Sequence, residues 1–400
     1  MYACSWTRPR PVTPDRRRER SSRWLRNLVL ATAVLLSPAA FAQGTVVAWG
    51  LGLDGQTTVP PPGNDVVAIG AGHLHSLIVH ADGTVSAFGA NAFGQSDVPA
   101  GLANVTAVAG GLFHSVALRA DGTVVAWGDD GQSQLQVPAA LSDATAIAAG
   151  GLHSLALRRD GTVVAWGANG SGQVDVPAGL TGVSAIAAGR FHSLALRIDG
   201  TVVAWGSNLD GESAVPGGLD HVVAVAAGNT LSMALRSDGT VVVWGDQDNP
   251  RAVPAGLTGV VAIAGGVQHC VALRADGTVI AWGFDSEGQV SIPAGLGGVT
   301  RIAAGSYHNL ALRDALSPEQ AIRDLRADVT QLGVPVREAL RVQLDLALAA
   351  LSGSNRVTAC RSLLAFSRTA LAQRGRQLGR EQADYFIAQA ADIRALIGCR

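Results

Sequence analysis

From residue 44 onward the apolar positions fall into short β-branched runs, each fenced by glycine, proline or an Asp-Gly pair, and the runs return in a fixed order. The phrase Gly-Thr-Val-Val-Ala-Trp-Gly opens at Gly44 and comes back, with small changes, at Gly83, Gly122, Gly161, Gly200, Gly239 and Gly277. The spacing is 39 residues five times and 38 once. A period of about 40 residues built from short strands signals a propeller or a solenoid. The copies also act as internal controls. What stays constant is scaffold, and what varies on one face is where function sits.

In the copy from Gly161 to Asp199, Thr162-Val163-Val164-Ala165-Trp166-Gly167 reads as a buried strand. A polar loop, Ala168 to Gln173, leads to a short segment, Val174-Asp175-Val176, which reads as a second strand stopped by Pro177. Val183 to Gly189 is the third strand and His192 to Arg197 the fourth. Asp199-Gly200 then turns a hairpin into the next copy, because that pair accepts the positive φ angles of a tight turn.

Four short antiparallel strands repeated seven times predict a mainly β fold, a seven-bladed β-propeller. A solenoid would carry capping repeats with a polar outer face, and the sequence has none. The ends are complementary instead. The first copy lacks the strand that precedes Trp-Gly elsewhere, and the last copy ends with that strand, Asn309 to Arg313. Strand 45–49 is therefore expected to pair with strand 309–313, so that the N- and C-terminal strands close one blade and remove exposed edges. The propeller is placed at 43–314.

From Ser317 the period changes. Ser317-Pro318-Glu319-Gln320 is a helix start, with serine as N-cap, proline at the first helical position and glutamine at the third. Ile322, Leu325, Val329 and Leu332 follow at helical spacing until Gly333 and Pro335. Further helices are predicted at 336–351, 356–373 and 381–397, separated by Ser352-Gly353-Ser354-Asn355 and by Gly375 and Gly379. Residues 315–400 thus predict a small C-terminal α-helical bundle. Cys360 and Cys399 are an even pair in an exported module, and a disulfide between them would stabilise by roughly 3–4 kcal/mol. Cys270, where most copies have serine, is expected to be a buried and chemically quiet thiol.

Charge divides along the same boundary. Residues 43–314 hold 10 arginines against 21 acidic residues, a net −11, and residues 315–400 hold 12 against 8, a net +4. An acidic propeller speaks against sequence-independent nucleic-acid binding, which needs a basic surface. Ahead of the repeats, an arginine-rich stretch runs into apolar residues from Leu28 to Leu36 and then Ser37-Pro38-Ala39-Ala40-Phe41-Ala42, an Ala-x-Ala cleavage site before Gln43. Residues 1–42 read as a secretory signal peptide, so the mature chain is expected to be periplasmic or secreted. No other segment approaches the roughly 18–20 apolar residues of a membrane span.

The elements Ala-Ala-Gly-x-x-His-Ser-Leu-Ala-Leu, Asp-Gly-Thr-Val and Trp-Gly-x-Asn-x-x-Gly-Gln resemble repeats of the regulator of chromosome condensation family. The Gly-Gln-x-x-Val-Pro-Ala connection looks most like the secreted bacterial branch that includes a β-lactamase-inhibitory propeller. The resemblance spans 44–314 and implies the seven-bladed fold. It implies no single activity, because propellers of this family choose unrelated partners through their loops. Inhibition of a secreted hydrolase is the form that the bacterial branch suggests. Nucleotide exchange, known from the family's nuclear member, is disfavoured by the export signal.

His75, His114, His153, His192, His269 and His308 recur at one position. Each belongs to a different blade, so they form a ring and do not converge at zinc distances. Leu231 stands at that place in the fifth copy, which points to a structural role, each histidine bonding neighbouring backbone. Trp49, Trp127, Trp166, Trp205, Trp244 and Trp282, with Phe88 in the second copy, hold one register at strand ends and are expected to pack between blades. No nucleophile elbow, phosphate loop or His-Glu zinc motif occurs. The chain therefore reads as non-enzymatic, with no metal or other cofactor.

Variation is concentrated elsewhere. In an antiparallel blade, the two-residue loop before each histidine and the longer loop after each Trp-Gly share one face. That face carries Asp54, Leu74, Phe93, Phe113, Asp129, Asp130, Arg190, Phe191, Asp210, Asp246, Phe284, Asp285 and Tyr307. Aromatic anchors among carboxylates are what a protein–protein interface uses. The expectation is an exported binding protein with a protein partner. A glycan stacked on the same aromatics, in a cell-surface adhesion role, is the alternative.

Overall fold

The computed structural model describes residues 44–61, 65–245, 252–314, 318–330 and 332–399. The leader expected at 1–42, the capping residue Ser317 and the loop residue Asp246 lie outside them.

Three strands, not four, make each repeat. The unit first appears as Val66–Ala71, His75–His80 and Val85–Gly89, an antiparallel sheet, and returns at 105–128, 144–167, 183–206, 222–245 and 260–283. Val174-Asp175-Val176, expected as a strand, satisfies its backbone locally. Asp175 N–H donates to the Gly172 carbonyl (3.1 Å) and Val176 N–H to the Val174 carbonyl (2.9 Å). Pro177 then has no N–H to give a ladder. The terminal strands pair in the expected register. Gly44–Gly50 runs antiparallel to His308–Asp314, with Thr45 opposite Arg313 and Trp49 opposite Asn309, and completes the unit begun by Val299–Ala304. A single pair, Gly44 with Val66, links this terminal unit to the first.

Sheets of three short strands cannot build a core alone, so the apolar side chains are buried between consecutive units. In each such core, a tryptophan packs with an alanine of its own unit: Ala117 with Trp127, Ala156 with Trp166, Ala195 with Trp205, Ala234 with Trp244, Ala272 with Trp282 and Ala311 with Trp49. The two are diagonal neighbours on one sheet face, since Ser115 lies opposite Trp127 and Ala117 opposite Val125. The core between the terminal unit and the first departs from this rule. Phe88 stands in place of tryptophan and Ile78 in place of alanine, with Ser86 opposite Ile78. Ring volume lost at one position returns as a branched side chain at the other, the kind of exchange a packed core tolerates best.

The C-terminal segment forms four helices, α1 (Pro318–Thr330), α2 (Val336–Ser352), α3 (Arg356–Gln373) and α4 (Arg380–Ile397), around a separate core that includes Ile322, Leu340, Leu344, Leu363 and Phe366. Asn355 caps α3, its side-chain oxygen accepting from Thr358 N–H. Cys360 and Cys399 are joined in a disulfide that ties α3 to the residue beyond α4. The bundle meets the β region at Asp328, which lies against Gly295 and accepts a hydrogen bond from the Tyr385 hydroxyl (2.7 Å).

The Ile78–Phe88 exchange makes a quantitative prediction. Ile78→Ala alone should cost about 2–5 kcal/mol through the cavity it leaves, and Phe88→Trp alone about 1–3 kcal/mol through overpacking. The double variant should recover most of both losses. Urea unfolding of the four chains checks this, and losses that simply add would show that the two side chains do not share one volume.

Candidate interaction face

The repeated motif residues form a hydrogen-bond lattice between units, and that lattice positions the loops. His75 Nε2 meets Ser115 Oγ of the next unit at 2.9 Å. The same bond joins His114 to Ser154, His153 to Ser193 and His192 to Ser232, and His308 returns to Ser76 of the first unit (2.9 Å). Ser76, Ser115, Ser193 and Ser232 donate their own hydroxyl proton to the backbone carbonyl at positions 56, 95, 173 and 212. A hydroxyl has one proton to give, so the imidazoles of His308, His75, His153 and His192 that face these serines must carry their hydrogen on Nε2. Asn309 substitutes for serine opposite His269. Its Oδ1 accepts from the ring (2.8 Å) and its amide donates to the Gln289 carbonyl. The histidine partners are thus side chains of the neighbouring unit, not the backbone groups expected from sequence.

The same carbonyls receive the tryptophans: Trp127 Nε1 donates to Gln95 O, Trp205 to Gln173 O and Trp244 to Glu212 O. One junction is built differently. Where Leu231 replaces histidine, Cys270 replaces the serine, and the two pack in one apolar core. Replacing both partners of a buried hydrogen bond by apolar groups costs far less than replacing one.

Above each imidazole sits a glycine. A Cβ on Gly72 would lie 2.2 Å from His75 Cε1 and 2.7 Å from the Gly111 carbonyl oxygen. Gly111, Gly150, Gly189, Gly228, Gly266 and Gly305 each meet the next ring carbonyl in the same way, and Gly305 meets that of Gly72. Backbone bonds follow this circle, from His73 N–H to Gly111 O (3.0 Å), Leu112 N–H to Gly151 O (2.9 Å), and onward until Ser306 N–H reaches His73 O (3.4 Å). The glycines and the residues beside them line a shallow mouth.

Around that mouth the variable side chains gather in sectors. Phe93 of a long loop packs on Phe113 of a short loop, with ring centroids 4.5 Å apart. Phe113 meets His73 edge-on at 6.4 Å, and His73 meets Tyr307 at 6.1 Å. His73 Nδ1 also bonds Ser306 Oγ (2.5 Å). Across the mouth the Arg190 guanidinium lies over the Phe191 ring, 5.0 Å from its centroid. The long loops are pinned from within. The Gln95 side chain accepts from Phe93 N–H and that of Glu212 from Asp210 N–H. What remains at their tips is apolar and exposed: Leu53 at 88%, Leu209 at 93%, Phe93 at 48% and Phe284 at 44%.

Six segments, 66–95, 105–134, 144–173, 183–212, 222–249 and 260–289, match the family model described as the regulator of chromosome condensation (RCC1) repeat. The chain belongs to this family. Among solved structures, Prp20p of Saccharomyces cerevisiae superposes with a TM-score of 0.61 at 20% identity, covering 75% of this chain and 96% of that one. Human WBSCR16 gives 0.57 at 18% identity, with 68% and 99% covered. Yeast RCC1 (Prp20) bound to Kap60 gives 0.60 at 21%, with 72% and 92% covered. These likenesses concern the fold. No curated protein sequence matches the chain.

Within this family frame the candidate residues separate. Phe93, Phe113 and Tyr307 come together, and Arg190 and Phe191 form a second group. Asp129, Asp130 and Asp285 hold their own loops. Asp129 accepts from Gln134 Nε2 (2.6 Å), Asp130 from Leu135 N–H (2.9 Å), and Asp285 from Val290 N–H (2.8 Å) and Ser291 Oγ (2.9 Å). Leu74 is half-buried, its carbonyl accepting from Ala90 N–H. Asp54 is exposed, and the backbone N–H groups of Asp54 and Asp210 are both capped. Sequence reasoning passed over His73 as a binding candidate, although it links Phe113 to Tyr307. Its signal was a ring residue at a position where every unit carries something different. Among the described residues, no three His, Cys, Asp or Glu side chains gather as a metal site requires, and no helix is long and apolar enough to cross a membrane.

The lattice has a pH signature. Burial holds the lattice histidines below their ordinary value of 6.5, with His75, His153 and His308 pushed down to about 3 and His114 and His192 to about 4. Neighbouring imidazoles push His75 and His153 further in the same direction. Between these values and 6.5 the unfolded chain binds protons that the folded chain refuses, so stability is full above 6.5 and falls as pH falls. Each neutral histidine should cost about 1.4 kcal/mol per pH unit in that window. The slope should drop by one proton when His153→Leu is combined with Ser193→Cys, the pair that Leu231 and Cys270 already form. Urea unfolding at pH 7.5, 6 and 5 measures it, and a flat profile would contradict neutral buried imidazoles.

Proposed function

We propose that the chain is an exported, non-enzymatic binding protein whose repeats close into a seven-bladed propeller and whose loop face docks another protein. Closure is supported by three contacts between the terminal and first units, His308 with Ser76, Ser306 with His73, and the core around Phe88. Export is supported by the leader pattern at 1–42. The observation that carries the docking reading is the placement of exposed apolar side chains. Within the β region, Leu53, Leu209, Phe93, Phe191 and Phe284 stand exposed on the loop face, against only Ile198 and Val261 among the large apolar side chains exposed elsewhere on its described residues. Rigid loops lose little freedom on binding, which favours affinity from few anchors. The yeast relative Prp20p is known with binding to Gsp1p and histones, and in complex with Kap60. Inhibition of a secreted hydrolase is the specific form that the bacterial-branch motifs favour.

The test is capture of proteins from the producing cell's periplasm and medium by the wild-type chain and by Phe93→Ala/Phe113→Ala/Tyr307→Ala. Truncating a clustered aromatic anchor of an interface costs about 2 kcal/mol or more, so the variant should bind at least about thirtyfold more weakly while unfolding at the same temperature. A partner held equally by both chains would move the interface off this face. Binding to a glycan array without any captured protein would favour the adhesion reading instead.

A further inference from the structure

Among the described residues, the mouth carries a cation with no ion-pair partner. Arg190 is the one guanidinium on the loop face among the described residues, and it forms no ion pair there. Its guanidinium lies over the Phe191 ring. The fold makes room for its stem. A Cβ on Gly151 would lie 3.1 Å from Arg190 Cγ, and glycine occurs at this loop position in that unit alone. Arg190 also acts across the opening, where its charge adds to burial in holding the His73 imidazole below its ordinary pKa. Asn229, whose backbone carbonyl takes the Arg190 N–H, and Ser306, bonded to His73, bring an amide and a hydroxyl to the same opening. Guanidinium, amide and imidazole groups around a shallow, glycine-lined mouth suit a small planar anion.

We propose that the mouth is a carboxylate site, filled by an Asp or Glu side chain on a protrusion of the docked protein, with Arg190 as its charge partner and Asn229 and His73 beside it. This deepens the docking reading and rests on it for the identity of the visitor. The site itself is testable without any partner.

Acetate, the smallest mimic of the side chain, is titrated into the full chain while the Cε1–H signal of His73 is followed by NMR, assigned with His73→Gln. The wild type should show a saturable shift. Arg190→Gln should weaken the apparent affinity at least about tenfold, and Arg190→Lys, which keeps the charge but not the fork, should fall between them. All three should unfold at the same temperature, since Arg190 packs on nothing in a core. No saturable shift, or an equal one in Arg190→Gln, overturns the site. A blocked peptide containing one glutamate should compete with acetate. Competition instead by an N-acetylated trialanine with a free C-terminus, and not by the glutamate peptide, would overturn the side-chain assignment in favour of a chain end. Loss of protein capture with the acetate response intact would sink the docking reading alone.

Discussion

Where one unit meets the next, an imidazole lies directly beneath a glycine, and its Nε2–H crosses to the serine of the neighbouring sheet. Neither half of that contact is adjustable. Any side chain on the glycine would strike both the imidazole and the next ring carbonyl, at distances real Cβ atoms do not reach. An imidazole that took up a second proton would place a charge in a site with no room for water. The serine must in turn give its proton to a carbonyl of the preceding loop, twenty residues earlier in the chain, and the same carbonyl receives a tryptophan N–H. Gly-x-x-His-Ser, Trp-Gly and Gly-Gln are therefore three ends of a single contact.

Much of this was legible in the residues, and what was not has a physical reason. Repeat length, the Asp-Gly hairpins, the helix limits and the pairing of strand 45–49 with 309–313 follow from period and local turn chemistry, which act within a few residues. The Val-Asp-Val segment misled because β-branched residues predict extended backbone. Only the i→i−2 and i→i−3 bonds before Pro177 reveal that its donors are already spent. The histidines read as structural residues, yet their partner could not be read from the sequence. It lies forty residues away on another sheet. The loop-face aromatics stood out as variable against a constant scaffold, but which of them touch depends on how the units sit beside one another. Tyr307 and Phe113 are far apart in sequence and share His73 as a neighbour.

The two exceptions to the repeat are instructive because each is paired. Leu231 alone would leave a buried serine without its donor, and Cys270 alone would leave a histidine without its acceptor. Together they pack as apolar neighbours. Phe88 and Ile78 do the same for volume. Cys270 looked like an isolated oddity in the sequence, and its explanation is a leucine in the previous unit. Departures at scaffold positions are coupled across or within junctions, so a lone substitution there is expected to be costly wherever it falls.

Departures on the loop face follow no such coupling, and the reason lies in how the loops are held. A glutamine or glutamate side chain caps each described long loop from below, at Gln56, Gln95, Gln134, Gln173, Glu212 and Gln289. An Asn or Asp such as Asn91 or Asp130 closes the other end. Between these anchors Leu53 and Leu209 occupy positions outside the lattice bonds, while Phe93 gives its N–H to the Gln95 cap and presents only its ring. A substitution there changes what the face presents without disturbing what holds it. The short loops offer one further free position per unit, filled by His73, Arg190 or Asn229 around the mouth. The face thus carries pinned loops, with exposed apolar side chains at several tips and polar groups around the mouth. A partner that uses both must be broad enough to span the tips and must project a polar group inward.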